Sequence, residues 1–318
     1  MVTSAGRRRY VLEELVKYSL PGDVIIAADM SPLAASLSTP GVESIVIKGD
    51  SLGARALEVE RIACARRVDA VLSLHDFEAV ELSLMSQSLA EKGCLFVGPT
   101  PETSRLTLDK MALARHLYSI DPSLTPRTYD SLDQLDTASG TAPRWVLKDR
   151  WGSASSGLLF VGPDELVSTA ESYILGTWVA QPLADGEEYN VDLFRDTDGS
   201  VAGTSTKKKW KMRGGETDSA TVLLDPPAQV VYAAKRSVED LAVIGNIDVD
   251  VILSPAGEAV VIDINPRFGG GYAFSALAGY RAAEAIWQLA RREKVSPLGP
   301  VREVTAAKHV AVAEVVAP

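Results

Sequence analysis

The chain has 318 residues, 46% apolar and 23% charged, an ordinary globular balance that excludes disorder along its whole length. Forty-two acidic residues against 32 basic ones leave a net charge of −10, which argues against a nucleic-acid surface while leaving room for a local basic pocket. No apolar run approaches the ~20 residues of a membrane-spanning helix, the first residues lack a signal-peptide layout, and Cys64 and Cys94, with no CxxC, read as two buried free thiols in a reducing, cytoplasmic setting.

In chain order, a short strand at Met1–Ser4 leads through Ala5-Gly6-Arg7 into a helix over Arg7–Tyr18. Strands follow at Val24–Ala28, Ser44–Ile47, Asp69–Leu74 and Cys94–Gly98, separated by helices at Leu52–Arg67 and Phe77–Lys92. That alternation implies βαβ units and a mostly parallel sheet. Gly98-Pro99-Thr100-Pro101 breaks the pattern. A helix over Thr103–Tyr118 comes next, then Pro/Ser/Thr-rich passages at Asp121–Pro126 and Thr137–Pro143. Strands at Trp145–Lys148 and Leu158–Val161 flank a small-residue loop, a hairpin arrangement. Further strands are predicted at Trp178–Leu183, Tyr189–Phe194 and Val201–Thr206, a helix at Gln229–Ile244, strands at Ile247–Leu253 and Glu258–Ile264, a helix at Ala273–Arg292 and a strand-like tail at Val301–Val316. The chain thus changes character near residue 100, from βαβ winding to hairpins with interspersed helices.

Four stretches carry chemistry. In Ile247–Leu253 and Val260–Gly271, period-two alternation puts Asp248 with Asp250, and Asp263 with Asn265, on one face each of two paired strands. Carboxylates and an amide oxygen on adjacent strands suit an oxygen-ligand Mg²⁺ site, with Ile262 and Ile264 expected to face a core. Arg267 follows on a Gly-rich bend, where a guanidinium can meet phosphate or carboxylate bidentately. Lys148 precedes Gly152-Ser153-Ala154-Ser155-Ser156-Gly157, which reads either as a flexible turn or as a loop whose N–H groups fold over phosphates. Gln181–Asp192 can offer backbone groups to a base and a carboxylate to ribose, or be a surface turn. Lys207-Lys208-Lys209-Trp210-Lys211-Met212-Arg213 is either a solvated loop or an anion-binding edge.

Taken in order, these residues resemble the ATP-grasp superfamily, in particular its branch with a carbamoyl-phosphate-synthase-like ATP-binding domain. The resemblance spans nearly the whole chain. It implies an α/β Rossmann-like pre-ATP-grasp domain (residues 1–100), then an α+β ATP-grasp domain of two subdomains, 101–180 with the phosphate-covering loop and 181–318 with the metal site and tail. By the same likeness, Lys110 of Asp109-Lys110 and Lys148 would bind the α- and β-phosphates of ATP. Ser153, Ser155 and Ser156 would cover them, Gln181 and Leu183 would receive adenine, and Glu188 the ribose. Asp250, Asp263 and Asn265 match the metal-ligand pattern for Mg²⁺, with Mn²⁺ as a substitute. Two departures stand out: the family commonly has glutamate where this chain has Asp263, one methylene shorter, and the covering loop is rich in serine more than in glycine.

The activity implied is that of an ADP-forming carbon–nitrogen ligase. A small carboxylate would be activated as an acylphosphate and captured by an amine, with an amino acid or small peptide as substrate. Arg267 would hold the acylphosphate and Arg213 a substrate carboxylate, with Lys209 beside them at the reaction centre. The rival outcomes are carboxylation or phosphorylation of a small acid, or nucleotide binding without catalysis. No nucleic-acid or membrane partner is expected, and a homodimer is compatible with the resemblance.

Overall fold

The alternating N-terminal segment winds into one parallel sheet. It contains β1 (Val2–Thr3), α1 (Arg9–Lys17), β2 (Ile26–Asp29), β3 (Glu43–Val46), α2 (Leu52–Arg66), β4 (Ala70–Ser73), α3 (Asp76–Leu84), α4 (Ser86–Glu91) and β5 (Leu95–Phe96). The strand order is β3-β2-β1-β4-β5, every pairing parallel. The chain therefore runs outward from β1 to β3, then returns to the other side of β1 at β4. β2 and β4 are buried along their whole length, as expected of apolar strands covered on both faces. The computed structural model describes residues 1–152, 157–173 and 176–315.

Next come α5 (Pro101–Leu108), α6 (Lys110–Ile120), α7 (Leu132–Ala138), β6 (Trp145–Asp149), β7 (Leu159–Val161), α8 (Pro163–Glu171) and β8 (Trp178–Pro182). The three strands form an antiparallel sheet in the order β7-β6-β8. Trp145, Leu147, Trp178 and Ala180 of this sheet pack with Leu135 and Leu166 of the helices into a core of their own.

The last part holds β9 (Glu187–Arg195), β10 (Val201–Arg213), β11 (Glu216–Val222), α9 (Ala228–Ser237), β12 (Gly245–Leu253), β13 (Ala259–Asn265), α10 (Tyr272–Leu277), α11 (Ala282–Ala290) and β14 (Val304–Ala307). Its six strands make an antiparallel sheet in the order β13-β12-β9-β10-β11-β14. Helix α11 returns to the parallel sheet. Ile286 and Leu289 join Leu12 and Leu15 of α1 in one core, and the Trp287 indole N–H donates to the Leu15 carbonyl at 2.9 Å.

Several sequence expectations need correction. The helix expected over Phe77–Lys92 is interrupted at Met85. The one over Ala273–Arg292 is interrupted between α10 and α11, where Gly279 takes φ +101°. The one over Thr103–Tyr118 is broken at Asp109, which is extended and caps α6 by accepting from the Met111 and Ala112 N–H groups. Arg150 clamps the same carboxylate through two hydrogen bonds of 2.8 and 2.7 Å. An Asp cap held this way starts a new helix, so Lys110 sits in a first helical turn and not mid-helix. The sequence pattern predicts no counterpart to helices α7 and α8 or to strand β11. Cys64 is exposed on α2, contrary to the expectation of two buried thiols; Cys94 is buried. Among the described residues, no helix is long and apolar enough to cross a membrane.

The basic run is strand, not loop. Alternation along β10 turns Lys207 and Lys209 inward, with side chains 0% and 5% exposed. Lys208 turns out to pair with Glu187. A register shift between Lys209 and Lys211 leaves Trp210 as an extra residue, and Lys211 comes out exposed.

Candidate active site

The sheet β7-β6-β8 and the β12–β13 end of the larger sheet enclose a cavity of about 420 Å³. One end is apolar: Val146 and Phe160 from one sheet face Ile252 and Ile262 from the other, with Leu183 alongside. Ile262 lies there because of a bulge. Asp250 pairs with Asp263, but the next register pair is Val251 with Val261, so Ile262 is the extra residue. It joins Asp263 on the cavity side, while Ile264 keeps its core position. Strict alternation predicts a core position for Ile262, which the bulge overturns. Gln181, at the foot of this slot, donates to the Thr128 hydroxyl at 2.7 Å.

Past the slot the lining becomes charged. Lys110 and Lys148 enter from α6 and β6. The Lys110 ammonium donates to the Gly152 carbonyl. Burial pushes Lys148 down to about 8, nearby Lys110 adds to the shift, and Asp263 opposes it. Lys209 sits between two carboxylates, 2.7 Å from Glu188 and 2.7 Å from Asp250. Burial alone would lower its pKa, but Asp250 and Glu188 hold it above the usual range.

The β12–β13 register sets the carboxylates opposite one another: Asp250 across from Asp263, Asp248 across from Asn265. The Asn190 amide from β9 donates to Asp248 at 2.8 Å and to Asp250 at 2.7 Å, bracing both. The Asn265 amide donates to Asp248 at 3.4 Å and to Asp263 at 3.3 Å. Burial, then the charges of Asp250 and Asp192, push Asp248 up to about 7. The Gly-rich bend lies directly over it: a Cβ on Gly269 would fall 2.0 Å from an Asp248 carboxylate oxygen. Only glycine fits that approach.

Arg267 is held by the N-terminal sheet. Its Nε and one Nη donate to Asp76, the first residue of α3, at 2.6 and 2.7 Å. The same Nη also donates to the Asn265 amide oxygen at 3.1 Å. Burial would raise the Asp76 pKa, yet the Arg267 guanidinium holds it below the usual carboxylate range.

Lys110, Lys148, Gln181, Leu183 and Glu188 thus line one cavity with Lys209, Asp250, Asp263, Asn265 and Arg267. Arg213 does not line it. It sits at the end of β10 with its side chain 62% exposed, 3.3 Å from Asp218. Ser153, Ser155 and Ser156 lie outside the described residues. The sequence assigns no role to Asp76, Arg8, Asn190 or Glu216. Asn190 carried a readable signal, since Glu188, Asn190 and Asp192 alternate on one face of an otherwise apolar strand. Arg8 and Asp76 carried none, as their partners lie 208 and 191 residues away.

The donor set fits a divalent cation. Among the described residues no three His, Cys, Asp or Glu side chains converge on a preformed metal site. Asp263, however, opposes Asp250 and has, among the described residues, only the 3.3 Å Asn265 hydrogen bond. Two carboxylates and an amide, to be completed by water and phosphate oxygens, are what Mg²⁺ usually takes beside a nucleotide.

Residues 107–271, just over half the chain, match the ATP-grasp domain model, and the chain belongs to the ATP-grasp family. Solved structures of the same fold include the biotin carboxylase domain dimer of Hydrogenobacter thermophilus 2-oxoglutarate carboxylase with MgADP and bicarbonate (TM-score 0.73, 16% identity, 94% of this chain and 72% of that one). Another is N5-carboxyaminoimidazole synthetase from Staphylococcus aureus (TM-score 0.72, 16% identity, 93% and 77%). A third is an L-amino acid ligase from Bacillus licheniformis (TM-score 0.71, 17% identity, 95% and 77%). No protein of curated function matches the chain in sequence.

Proposed function

We propose that the protein is an ATP-dependent carboxylate–amine ligase that forms an amide or peptide bond through an acylphosphate, acting on an amino acid or small peptide. The observation that carries this reading is the order along one cavity: an apolar slot, two lysines, then opposed carboxylates flanked by Lys209 and Arg267. A nucleoside triphosphate matches it end to end, with adenine in the slot near Gln181 and Leu183, ribose at Glu188, and phosphates on Lys110 and Lys148. Asp250, Asp263 and Asn265 would hold Mg²⁺, which when bound neutralises charge on the transferred phosphoryl group. A substrate carboxylate then attacks the γ-phosphorus and ADP leaves. The amine attacks the acyl carbon, and phosphate departs as the amide forms. Lys209 and Arg267 orient the anionic groups through these steps. Among the described residues no histidine lines the cavity, and chemistry of this kind asks for little protein acid–base work.

The L-amino acid ligase of the same fold supports an amine acceptor. A second reading, with bicarbonate as the activated acid, is favoured by the carboxylase and the carboxyaminoimidazole synthetase. We propose further that the parallel sheet is the family's Rossmann-like domain, that the units divide near residues 100 and 180, and that the protein works in the cytoplasm, with a homodimer as in the H. thermophilus domain.

A phosphate-release screen tests the assignment, with amino acids and dipeptides supplied singly and in pairs. Release only with pairs supports ligation; release with single acids plus bicarbonate supports the second reading. Asp263→Ala should abolish either while the far-UV spectrum and the melting transition persist. Retained turnover in that variant would sink the metal assignment.

A further inference from the structure

The cavity continues past the carboxylates, beyond the stretch proposed above for the nucleotide. The Gly269–Gly271 bend separates the two parts. Gly269 lies against Asp248, and a Cβ on Gly270 would fall 2.9 Å from the Glu216 side chain. Beyond the bend the cavity is lined by Arg8 and Glu216. Glu216 is held from both sides, by Arg8 Nε at 3.2 Å and by Lys308 at 3.0 Å. The trio Arg8–Glu216–Lys308 carries one net positive charge, with Asp76 of the Arg267 pair near enough to feel Arg8. Arg8 is held in place, since one Nη donates to the Leu74 carbonyl at 2.6 Å. Among the described residues, its other Nη has no acceptor.

Topology points to the same place. The strand order reverses between β1 and β4, and the crevice outside the carboxyl ends of strands at such a reversal is where open α/β sheets take ligands. Arg8 follows β1, Leu74 follows β4, and the Arg8–Leu74 hydrogen bond spans that crevice.

Building on the ligase reading above, we infer that this crevice is a subsite for a carboxylate of the amine substrate that takes no part in the reaction, bound by Arg8. The reacting carboxylate must reach the γ-phosphate among Lys209, Asp263 and Arg267. The amine approaches the acyl carbon from the side away from the phosphate chain, where Arg8 stands. The amine substrate is thus an amino acid and not ammonia or a simple alkylamine. Glu216 and Lys308 position Arg8, and Tyr10, whose hydroxyl donates to the Gly270 carbonyl at 3.3 Å, steadies the wall.

The test uses the full chain with MgATP and compares the twenty L-amino acids with their α-carboxamides as amine partners. A charge-assisted hydrogen bond to carboxylate is worth about tenfold or more in affinity. Wild type should therefore show a KM for the amide at least about tenfold above that for the acid. Arg8→Gln should erase the difference by raising the KM for the acid, with kcat and the KM for ATP within about threefold of wild type; Arg8→Lys should recover part of it. Equal use of acids, amides and ammonium by wild type, or an unchanged acid-to-amide ratio in Arg8→Gln, would overturn the inference. A second arm is independent of turnover. The amino acids should raise the melting temperature of wild type saturated with MgADP and not that of Arg8→Gln; equal shifts in both proteins, or none in wild type, would also overturn it. Absence of phosphate release with every pair, alongside an Arg8-dependent shift, would remove the ligase reading and leave the carboxylate subsite standing.

Discussion

At the scale of single residues, the cavity is lined by opposed charges. Lys148 shows this best. Burial and Lys110 hold it near 8, below the ordinary 10.5. A lysine depressed in the folded state costs stability fully below its folded value, and the cost fades as pH rises toward the unfolded one. Phosphate oxygens would relieve that cost, so ATP affinity and the Lys148 charge are linked. In calorimetric titration, ATP affinity should fall as pH is raised through about 8, while Lys148→Met binds weakly at every pH and shows no such step. A wild-type affinity that is flat between pH 7 and 9 would contradict the assignment. The carboxylates opposing Lys148 were legible in the sequence because polar residues recur at period two within apolar strands. Ile262 was not, since a bulge is a break in the very alternation used to read a strand.

At the scale of elements, β10 carries the most instructive arrangement. Read as a string, Lys207–Arg213 is a basic patch; as a strand it is sorted by pleat and bulge into distinct environments. Lys209 reaches the cavity. Lys207 is fully buried with Asp192, and the Ser275 hydroxyl and the Asn246 amide complete the network, Asn246 donating to Asp192 at 3.0 Å. Removing one member of a buried, hydrogen-bonded pair strands the other charge, at a cost of about 3–5 kcal/mol. Lys207→Met should lower the unfolding free energy by that order in urea titrations. The double variant Lys207→Met/Asp192→Leu should recover much of the loss, because the stranded carboxylate is gone. Equal stability of Lys207→Met and wild type would contradict the burial of the pair. Alternation could have separated Lys207 from Lys208 in the sequence, but only with the strand's extent known. The hydrophilic composition of 207–213 hid that extent. The helix break at Asp109 was hidden for a different reason: its cause is Arg150, a residue from another element.

At the scale of the whole molecule, the parallel and antiparallel sheets meet at the Asp76–Arg267 pair beside the cavity. Asp76 begins α3 at the carboxyl end of β4, and its two hydrogen bonds fix the Arg267 guanidinium on the far side of the junction. Both side chains are largely buried, 15% and 9% exposed, so the pair is shielded from screening. Asp76→Ala should leave Arg267 without its orienting partner. We expect kcat to fall by about 10²-fold, the loss typical of a misplaced reacting group, while ATP affinity measured by titration stays unchanged, and Asp76→Glu restores part of kcat. A loss of ATP affinity with kcat intact would show that the junction serves the nucleotide instead. The sequence made the βαβ-to-hairpin change near residue 100 plain. It held no sign that α11 folds back onto α1 or that Asp76 reaches Arg267, because such contacts join segments whose local patterns are complete without one another.

Isotope transfer reports directly on the acylphosphate. An acid substrate labelled with ¹⁸O in its carboxylate should deliver one labelled oxygen to each inorganic phosphate released, with the amide retaining the other. Unlabelled phosphate, formed while ATP is consumed in the presence of acid and amine, would mean that the carboxylate never attacks the γ-phosphorus and that no acylphosphate forms.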